Sequence, residues 1–280
     1  MGASALPGAE LQALCALVAA AARAELMPRF ADVQRHMKHD GSLVTAADLA
    51  MQARVRADLA RAWPQYAFVG EEMPAAEQQR RVRESGAGLW CLDPLDGTSN
   101  FAAGIPFFAV SLALVMEGRV ELALVHDPVR DECFVAHRGH GAWRNAAPLA
   151  IETDPGVPLD RAIAVVDFKR LDAALAARLG AAPPYGSQRN FGASSLEWCW
   201  LADGRFHVYL HGGQKLWDHA AGGLILSEAG GLAKTLDGEP VFRFELVARS
   251  VVAARHAGLF ADWHRWLDQA RRDGSAQNAC

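Results

Sequence analysis

Residues 93–100 read Asp-Pro-Leu-Asp-Gly-Thr-Ser-Asn, directly after the apolar run Gly88-Leu-Trp-Cys-Leu92. That run has the length and composition of a buried strand. It leads straight into two aspartates, Asp93 and Asp96, three residues apart. Pro94 stiffens the backbone between them, and Gly97 permits a tight turn. Thr98 and Ser99 are favourable starts for a short helix whose first N–H groups point at an anion. One loop thus offers two carboxylates for a metal and backbone donors for a phosphate. The plainer alternative is a surface Asp-Gly turn with incidental acids.

Three further acidic segments hold comparable places. Gly70-Glu71-Glu72 closes the short apolar segment Tyr66–Val69. Asp218 opens an apolar helix in Trp217-Asp-His-Ala-Ala-Gly222, and that helix ends at Glu228-Ala-Gly-Gly231. Asp48 opens a helix after Val44-Thr-Ala-Ala47. Taken singly, each has an ordinary explanation: adjacent glutamates are solvated, and aspartate favours helix caps and first turns. Taken together, they form a pattern. Hard divalent cations such as Mg2+ want oxygen ligands, few of them from protein, with water and phosphate completing the shell. Two such ions serve an in-line displacement at phosphorus by water. The chain has no G-x-x-x-x-G-K-[ST] loop and no cysteine in a basic setting, which favours hydrolysis over nucleotide-driven transfer. The absence of a D-x-[DN]-x-[DN]-G loop argues against a calcium-binding structural protein.

Composition narrows the partners. A net charge of -4 over 280 residues gives no general attraction to nucleic acid or acidic membrane. No uncharged apolar stretch reaches about 18 residues, so no membrane span is expected. The apolar run Leu11–Ala22 follows Glu10 without a basic flank, unlike a secretory signal. The cytoplasm is the location expected by elimination. Cys15, Cys91, Cys133, Cys199 and Cys280 are odd in number and form no C-x-x-C pair, which reads as reduced thiols.

Periodicity predicts helices over 8–36, with a break near Pro28, and over 46–63, ended by Trp63-Pro64. Residues 75–85 read as a polar surface helix or loop. Strands are expected over 107–116, 119–127 and 132–137, the first two joined by a hairpin at Glu117-Gly118. The polar stretch Thr153–Pro158 separates an N-terminal half, 1–150, from a C-terminal half, 151–280. Beyond it, strands over 162–166, 206–210, 232–235 and 246–253 alternate with helices over 170–179, 192–202, 218–229 and 257–272. Strands first and alternation later predict a two-part layered architecture of the α/β class.

The run Asp93–Phe101, the Gly-Glu-Glu at 70–72, Leu43-Val-Thr45 with Asp48, and Trp217-Asp-His-Ala-Ala-Gly222 with Glu228-Ala-Gly-Gly231 resemble the inositol monophosphatase family in order and spacing. The likeness runs from about residue 10 to residue 255. It implies an α-β-α-β-α sugar-phosphatase fold, with an N-terminal antiparallel sheet carrying most metal ligands and a C-terminal α/β layer. It also implies dependence on Mg2+ (two or three ions per subunit), inhibition by lithium and a homodimer. By position, Glu71, Asp93 and the Leu95 carbonyl hold one ion, and Asp93, Asp96 and Asp218 hold the second. Glu72 supports a further, weaker ion. Thr98 and Asp48 orient and deprotonate the attacking water. The Gly97 and Thr98 amides bind phosphate, and Asp96, Ser194 and His211 complete the substrate side. Two positions depart from the pattern. His211 stands seven residues before Asp218, where members that cleave inositol phosphates often have glutamate, and Ser42, near Lys38, replaces an aspartate.

The expected substrate is inositol monophosphate or a related polyol or sugar phosphate. Fructose 1,6-bisphosphate, histidinol phosphate and 3′-phosphoadenosine 5′-phosphate are the alternatives. A different class of function also stays open, an accessory partner in a transcription or RNA-processing complex. The histidines His36, His39, His126, His137, His140 and His207 receive no role, and Trp217 is expected to wall the site beside Asp218.

Overall fold

The computed structural model describes residues 8–30, 35–37, 43–151 and 156–277. Ala9–Glu25 forms α1, followed by a 3-10 turn over Met27–Arg29. Strands β1 (Arg35–Met37) and β2 (Leu43–Thr45) pair antiparallel, and α2 spans Ala46–Ala62. There follow β3 (Ala67–Gly70), α3 (Ala75–Arg83), β4 (Leu89–Asp96), α4 (Thr98–Ala102), β5 (Ala109–Met116), β6 (Arg119–Asp127), β7 (Glu132–His137), β8 (Gly141–Arg144) and β9 (Ala147–Leu149). The remainder comprises β10 (Ile163–Asp167), α5 (Ala173–Ala181), β11 (Ser187–Arg189), α6 (Ser194–Ala202), β12 (Val208–Gln214), α7 (Leu216–Glu228), β13 (Leu232–Lys234), β14 (Arg249–Ala254) and α8 (Ala257–Gln277).

Strands β3 to β9 lie side by side in chain order in a seven-stranded sheet, antiparallel except for the β3–β4 pair. A five-stranded sheet has the order β11-β10-β12-β14-β13. Alternation of side chains along β4 explains the stacking. Trp90 and Leu92 point to one face and pack with Leu14, Val18, Met51 and Val55 of α1 and α2. Cys91 points to the other and packs with Leu196, Trp198, Ala220 and Ile225 of α6 and α7. The same two helices also cover Tyr209 and Val251 of the second sheet. That sheet's far face meets Leu175 of α5 and Trp263 of α8. The order is therefore helix, sheet, helix, sheet, helix, the five-layer architecture that the resemblance implies.

Several expectations need correction. The first helix ends at Glu25, not near 36, and Pro28 sits in the 3-10 turn, where its missing N–H costs little. β4 does not stop at Leu92. It continues to Asp96 through a register shift opposite β5 between Asp93 and Asp96. The hairpins β1–β2 and β8–β9 and the edge strand β11 were not expected from periodicity, because at 3–4 residues each they carry too little pattern. The Glu117-Gly118 turn forms as expected, both residues at positive φ (49° and 71°) between the paired Met116 and Arg119. By length and composition, Ala9–Arg29 is apolar enough to cross a membrane. Its Leu11, Leu14, Val18, Ala21 and Ala22 are instead buried on the seven-stranded sheet and α2. Ser42, Lys38, His39, Cys280 and residues 153–155 of the 153–158 boundary lie outside the described residues.

Candidate active site

The acids predicted from separate segments come together at one end of β4. In the parallel β3–β4 pair, Gly70 lies opposite Leu92, and the Glu71 N–H donates to the Leu92 carbonyl at 3.0 Å. Glu71 thereby arrives beside Asp93. The buried Gln78 of α3 holds this corner, its amide donating to the Gly70 and Glu71 carbonyls at 3.1 and 2.9 Å. Gln52 of α2 accepts the Glu72 N–H at 3.0 Å. On the other flank Asp93 lies opposite Ser111, and the Ser111 hydroxyl donates to the Trp217 carbonyl at 2.9 Å. That bond pins the start of α7, and so Asp218, against the strand next to Asp93. Trp217 is itself buried, with Lys215 over its ring at 5.4 Å.

Each carboxylate is also held by a protein donor. Asp93 Oδ1 accepts the Leu95 N–H at 3.0 Å. Asp96 Oδ2 accepts both the N–H and the hydroxyl of Ser195 at 2.6 Å. The Ser194 N–H also bonds Asp96, so Asp96 sits on the N-terminal turn of α6. Asp218, third residue of α7, accepts the Lys215 N–H at 2.8 Å and so does part of a helix cap's work as well. Asp48, in the first turn of α2 and 1% exposed, lies 3.0 Å from the Thr98 hydroxyl, which is also 3.0 Å from the Leu95 carbonyl. Gly97 has φ +92, and a Cβ there would meet the Phe107 carbonyl at 3.0 Å and Ala193 Cβ at 3.1 Å. Only glycine fits between these walls without displacing them. Asn100 ties the same loops, donating to the Phe107 and Phe191 carbonyls at 2.8 and 2.7 Å.

Electrostatics mark the cluster as a place short of positive charge. Burial pushes Asp93 well above the usual carboxylate range, and Glu71, Asp96 and Asp218 push it further. Burial and the charges of Glu71 and Asp96 raise Asp218 in the same way. Asp96 is pushed up to about 6, mainly by burial, against the pull of Ser195. Among the described residues no lysine or arginine is paired with Asp93 or Asp96. A divalent cation is the group that such a set lacks: the donors are all oxygen, anionic and desolvated, the preference of Mg2+. Among the described residues no three His, Cys, Asp or Glu side chains converge tightly enough to enclose an ion on their own. One oxygen of Asp93, Asp96 and Asp218 already faces a protein donor, and a Mg2+ shell draws further oxygens from a carbonyl, water and phosphate.

Sequence reasoning missed the residues that act by holding others. Ser195 rather than Ser194 supplies the hydroxyl to Asp96. Glu197, 2% exposed, accepts the Phe191 and Gly192 N–H groups at 2.9 and 3.0 Å and a bond from the Tyr209 hydroxyl. Gln214 donates to Tyr209 at 2.7 Å and accepts from Trp198 Nε1 at 2.9 Å, closing a buried network behind α6. Ser195 carries no local sequence signal, since its partner Asp96 is 99 residues away, and Gln78 stands in a polar stretch that reads as surface. The structure does not join His211 to the acids. Its Nε2 faces Asp167 Oδ2 at 3.2 Å across the β10–β12 pair, and its Nδ1 accepts the Gly213 N–H at 3.1 Å.

A five-layer fold and a carboxylate cluster built for a hard cation beside an anion-seeking helix start define a metal-dependent phosphoric monoester hydrolase. The sequence pattern of the inositol monophosphatase family matches residues 9–270, and the chain belongs to that family. The chain is 38% identical over 207 residues to Nus factor SuhB of Pseudomonas aeruginosa, 71% of this chain and 74% of that protein. It is 33% identical over 235 residues to inositol monophosphatase 2 of Solanum lycopersicum, covering 78% and 84% of the two. A crystal structure of an IMPase/NADP phosphatase complexed with Mg2+ and phosphate shares the fold, with TM-score 0.77, 23% identity and coverage of 91% and 92%.

Proposed function

We propose that the chain hydrolyses a small-molecule phosphate monoester, inositol monophosphate or a related polyol or sugar phosphate, with Mg2+ at Glu71, Asp93, the Leu95 carbonyl, Asp96 and Asp218. The observation that carries this is the convergence of Asp93, Asp96, Asp218 and Glu71 next to the Thr98–Asp48 pair, with Glu71, Asp96 and Asp218 raising the pKa of Asp93 and Glu71 and Asp96 raising that of Asp218. Mg2+, two or three ions per subunit, supplies charge neutralisation at the phosphoryl group and acidifies water. The chain's own residues do the rest. Thr98 has one hydroxyl proton and two acceptors, Leu95 O and Asp48 Oδ1. Once the Leu95 carbonyl is engaged elsewhere, the proton goes to Asp48, and the Thr98 oxygen is left to accept from water. Asp48 is the base to which the proton is relayed. The Gly97 and Thr98 amides, at the open start of α4, face the phosphate. Asp96, held by Ser194 and Ser195, lines the substrate side. The resemblance alone assigns His211 to that side, and its own partner is Asp167.

The test is an assay of released phosphate over inositol monophosphate, fructose 1,6-bisphosphate, histidinol phosphate and 3′-phosphoadenosine 5′-phosphate, with and without Mg2+. Asp93→Asn is expected to abolish turnover while the circular dichroism spectrum is unchanged. Turnover that persists in this variant at saturating Mg2+ overturns the site. Substrate preference follows from the panel. The same reading takes the enzyme to be a cytoplasmic homodimer, which sedimentation and fractionation check.

The likeness to Nus factor SuhB supports a second reading, an accessory role in a transcription complex. Capture of the same partner by the wild type and by Asp93→Asn supports it, and capture of none by either dismisses it.

A further inference from the structure

Cys15 lies inside α1 and Cys133 near the start of β7, and their side chains meet with 3.2 Å between the sulfurs. Regular structure on both sides holds the meeting in place. Leu14 and Val18, neighbours of Cys15 along α1, are buried in the core, as is Val135, two residues along β7 and so on the same sheet face as Cys133. Asn145, just past β8, fixes the Cys133 backbone: its Oδ1 accepts the Cys133 N–H at 2.9 Å, and its own N–H donates to the Cys133 carbonyl at 2.7 Å. A covalent bond needs the two sulfurs about 1 Å closer, a shift that small side-chain rotations provide.

The pair differs from the other described thiols. Cys91 and Cys199 are enclosed, 1% and 0% exposed, whereas Cys15 and Cys133 are half-buried and within reach of a small solute. The Cys133 S–H donates to the Cys15 sulfur and holds the Cys15 thiol below the usual thiol range. The same contact, with burial, pushes Cys133 above it. One sulfur is thus the readier nucleophile and the other waits beside it, the arrangement of a reactive cysteine and its resolving partner.

We propose that Cys15 and Cys133 form a reversible redox site, in which a hydroperoxide oxidises the pair to a disulfide that staples α1 to the seven-stranded sheet. With hydrogen peroxide, the Cys15 sulfur attacks one peroxide oxygen and the O–O bond breaks. The hydroxide that leaves takes up the Cys15 proton as water, and Cys15 becomes a sulfenic acid. The Cys133 sulfur then bonds to the Cys15 sulfur, the S–O bond breaks, and the hydroxyl leaves with the Cys133 proton as a second water. Two thiols lose two electrons, and the peroxide gains them. The dithiol is the resting state, and a thiol reductant restores it. The cross-link closes a loop of chain that carries Asp48, Glu71, Asp93 and Asp96, and it stabilises the fold by narrowing the unfolded ensemble. It needs nothing of the phosphatase reading.

The test treats the full chain with a few equivalents of hydrogen peroxide and maps its peptides by mass spectrometry without reductant. A peptide pair joined through Cys15 and Cys133 is expected, lighter by two hydrogens than its parts and separated by dithiothreitol. The oxidised chain is expected to melt about 5–10 °C above the reduced chain. Cys15→Ser and Cys133→Ser each remove the joined pair and the rise, and Cys280→Ser keeps both. The wild-type map needs no variant, so it decides even where a serine unfolds the chain. The proposal fails if peroxide leaves both thiols intact, or takes them to sulfinic acid with no joined pair. It fails if the joined partner is Cys280 or a second copy of the chain. It also fails if dithiothreitol does not reverse the link, or if the oxidised chain melts no higher.

Discussion

Thr98 shows how one atom's surroundings decide its chemistry. A threonine hydroxyl is a poor base in water, but here it lies 3.0 Å from a buried carboxylate that can take its proton. Thr98→Ala is expected to lower kcat by about 10²-fold or more, with Thr98→Ser retaining most of it, as measured by phosphate release. Glu197 is the second telling residue. Burial pushes its carboxyl from an ordinary 4.5 up to about 7. Between those values the unfolded chain ionises Glu197 while the folded protein keeps the proton. Stability therefore falls as pH rises through that window and levels off above it. Glu197→Gln is expected to remove about 1–3 kcal/mol of this fall, seen as a flatter plot of melting temperature against pH. Asp48, Glu71, Asp93, Asp96, Thr98 and Asp218 were legible because strand ends and helix starts can be read locally. Ser195 was not, because the aspartate it holds lies 99 residues away, and Gln78 and Glu197 were not, because a polar side chain on a helix reads as solvated until packing buries it.

At the scale of elements, the site depends on where β4 bends. The sequence predicts a strand that stops at Leu92 and a loop that holds the aspartates. The structure keeps the strand to Asp96 and bends it between Asp93 and Asp96. A register shift of this kind re-aims side chains without ending the sheet. Gly97 then turns the chain into α4 at φ +92, against the Phe107 carbonyl. Gly97→Ala is expected to cost about 1–3 kcal/mol in urea denaturation and to lower activity by displacing Thr98. The cysteines make a contrast. Cys91 and Cys199 are buried thiols, as composition leads one to expect, but Cys15 of α1 and Cys133 of β7 bring their sulfurs to 3.2 Å. No spacing rule pairs residues 15 and 133, which meet because α1 crosses that sheet face.

For the whole molecule, the cost of the site is borne by the layers around it. Four acids face one another between the seven-stranded sheet and the α6–α7 layer, and their repulsion opposes folding until a cation neutralises it. Removing divalent cations with a chelator is therefore expected to lower the melting temperature. Mg2+ should restore it saturably, by about 2.7 kcal/mol at a hundredfold over its Kd. Asp93→Asn, with one charge fewer, is expected to melt higher than the wild type in chelator. Scanning fluorimetry checks both.

The chain's own pattern determined the acids, the order of most elements and the class of chemistry, because period-2 and period-3.6 hydrophobicity and cap residues act over a few neighbours. Tertiary structure alone decided which backbone amide or hydroxyl meets each carboxylate. It tied His211 to Asp167 rather than to the acids, and it left His219 buried with neither ring nitrogen bonded to another of the described residues. These outcomes rest on contacts between segments tens of residues apart, such as Ser195 with Asp96. Only the packing of α6 and α7 between two sheets brings such segments within the 3 Å or so that a hydrogen bond requires.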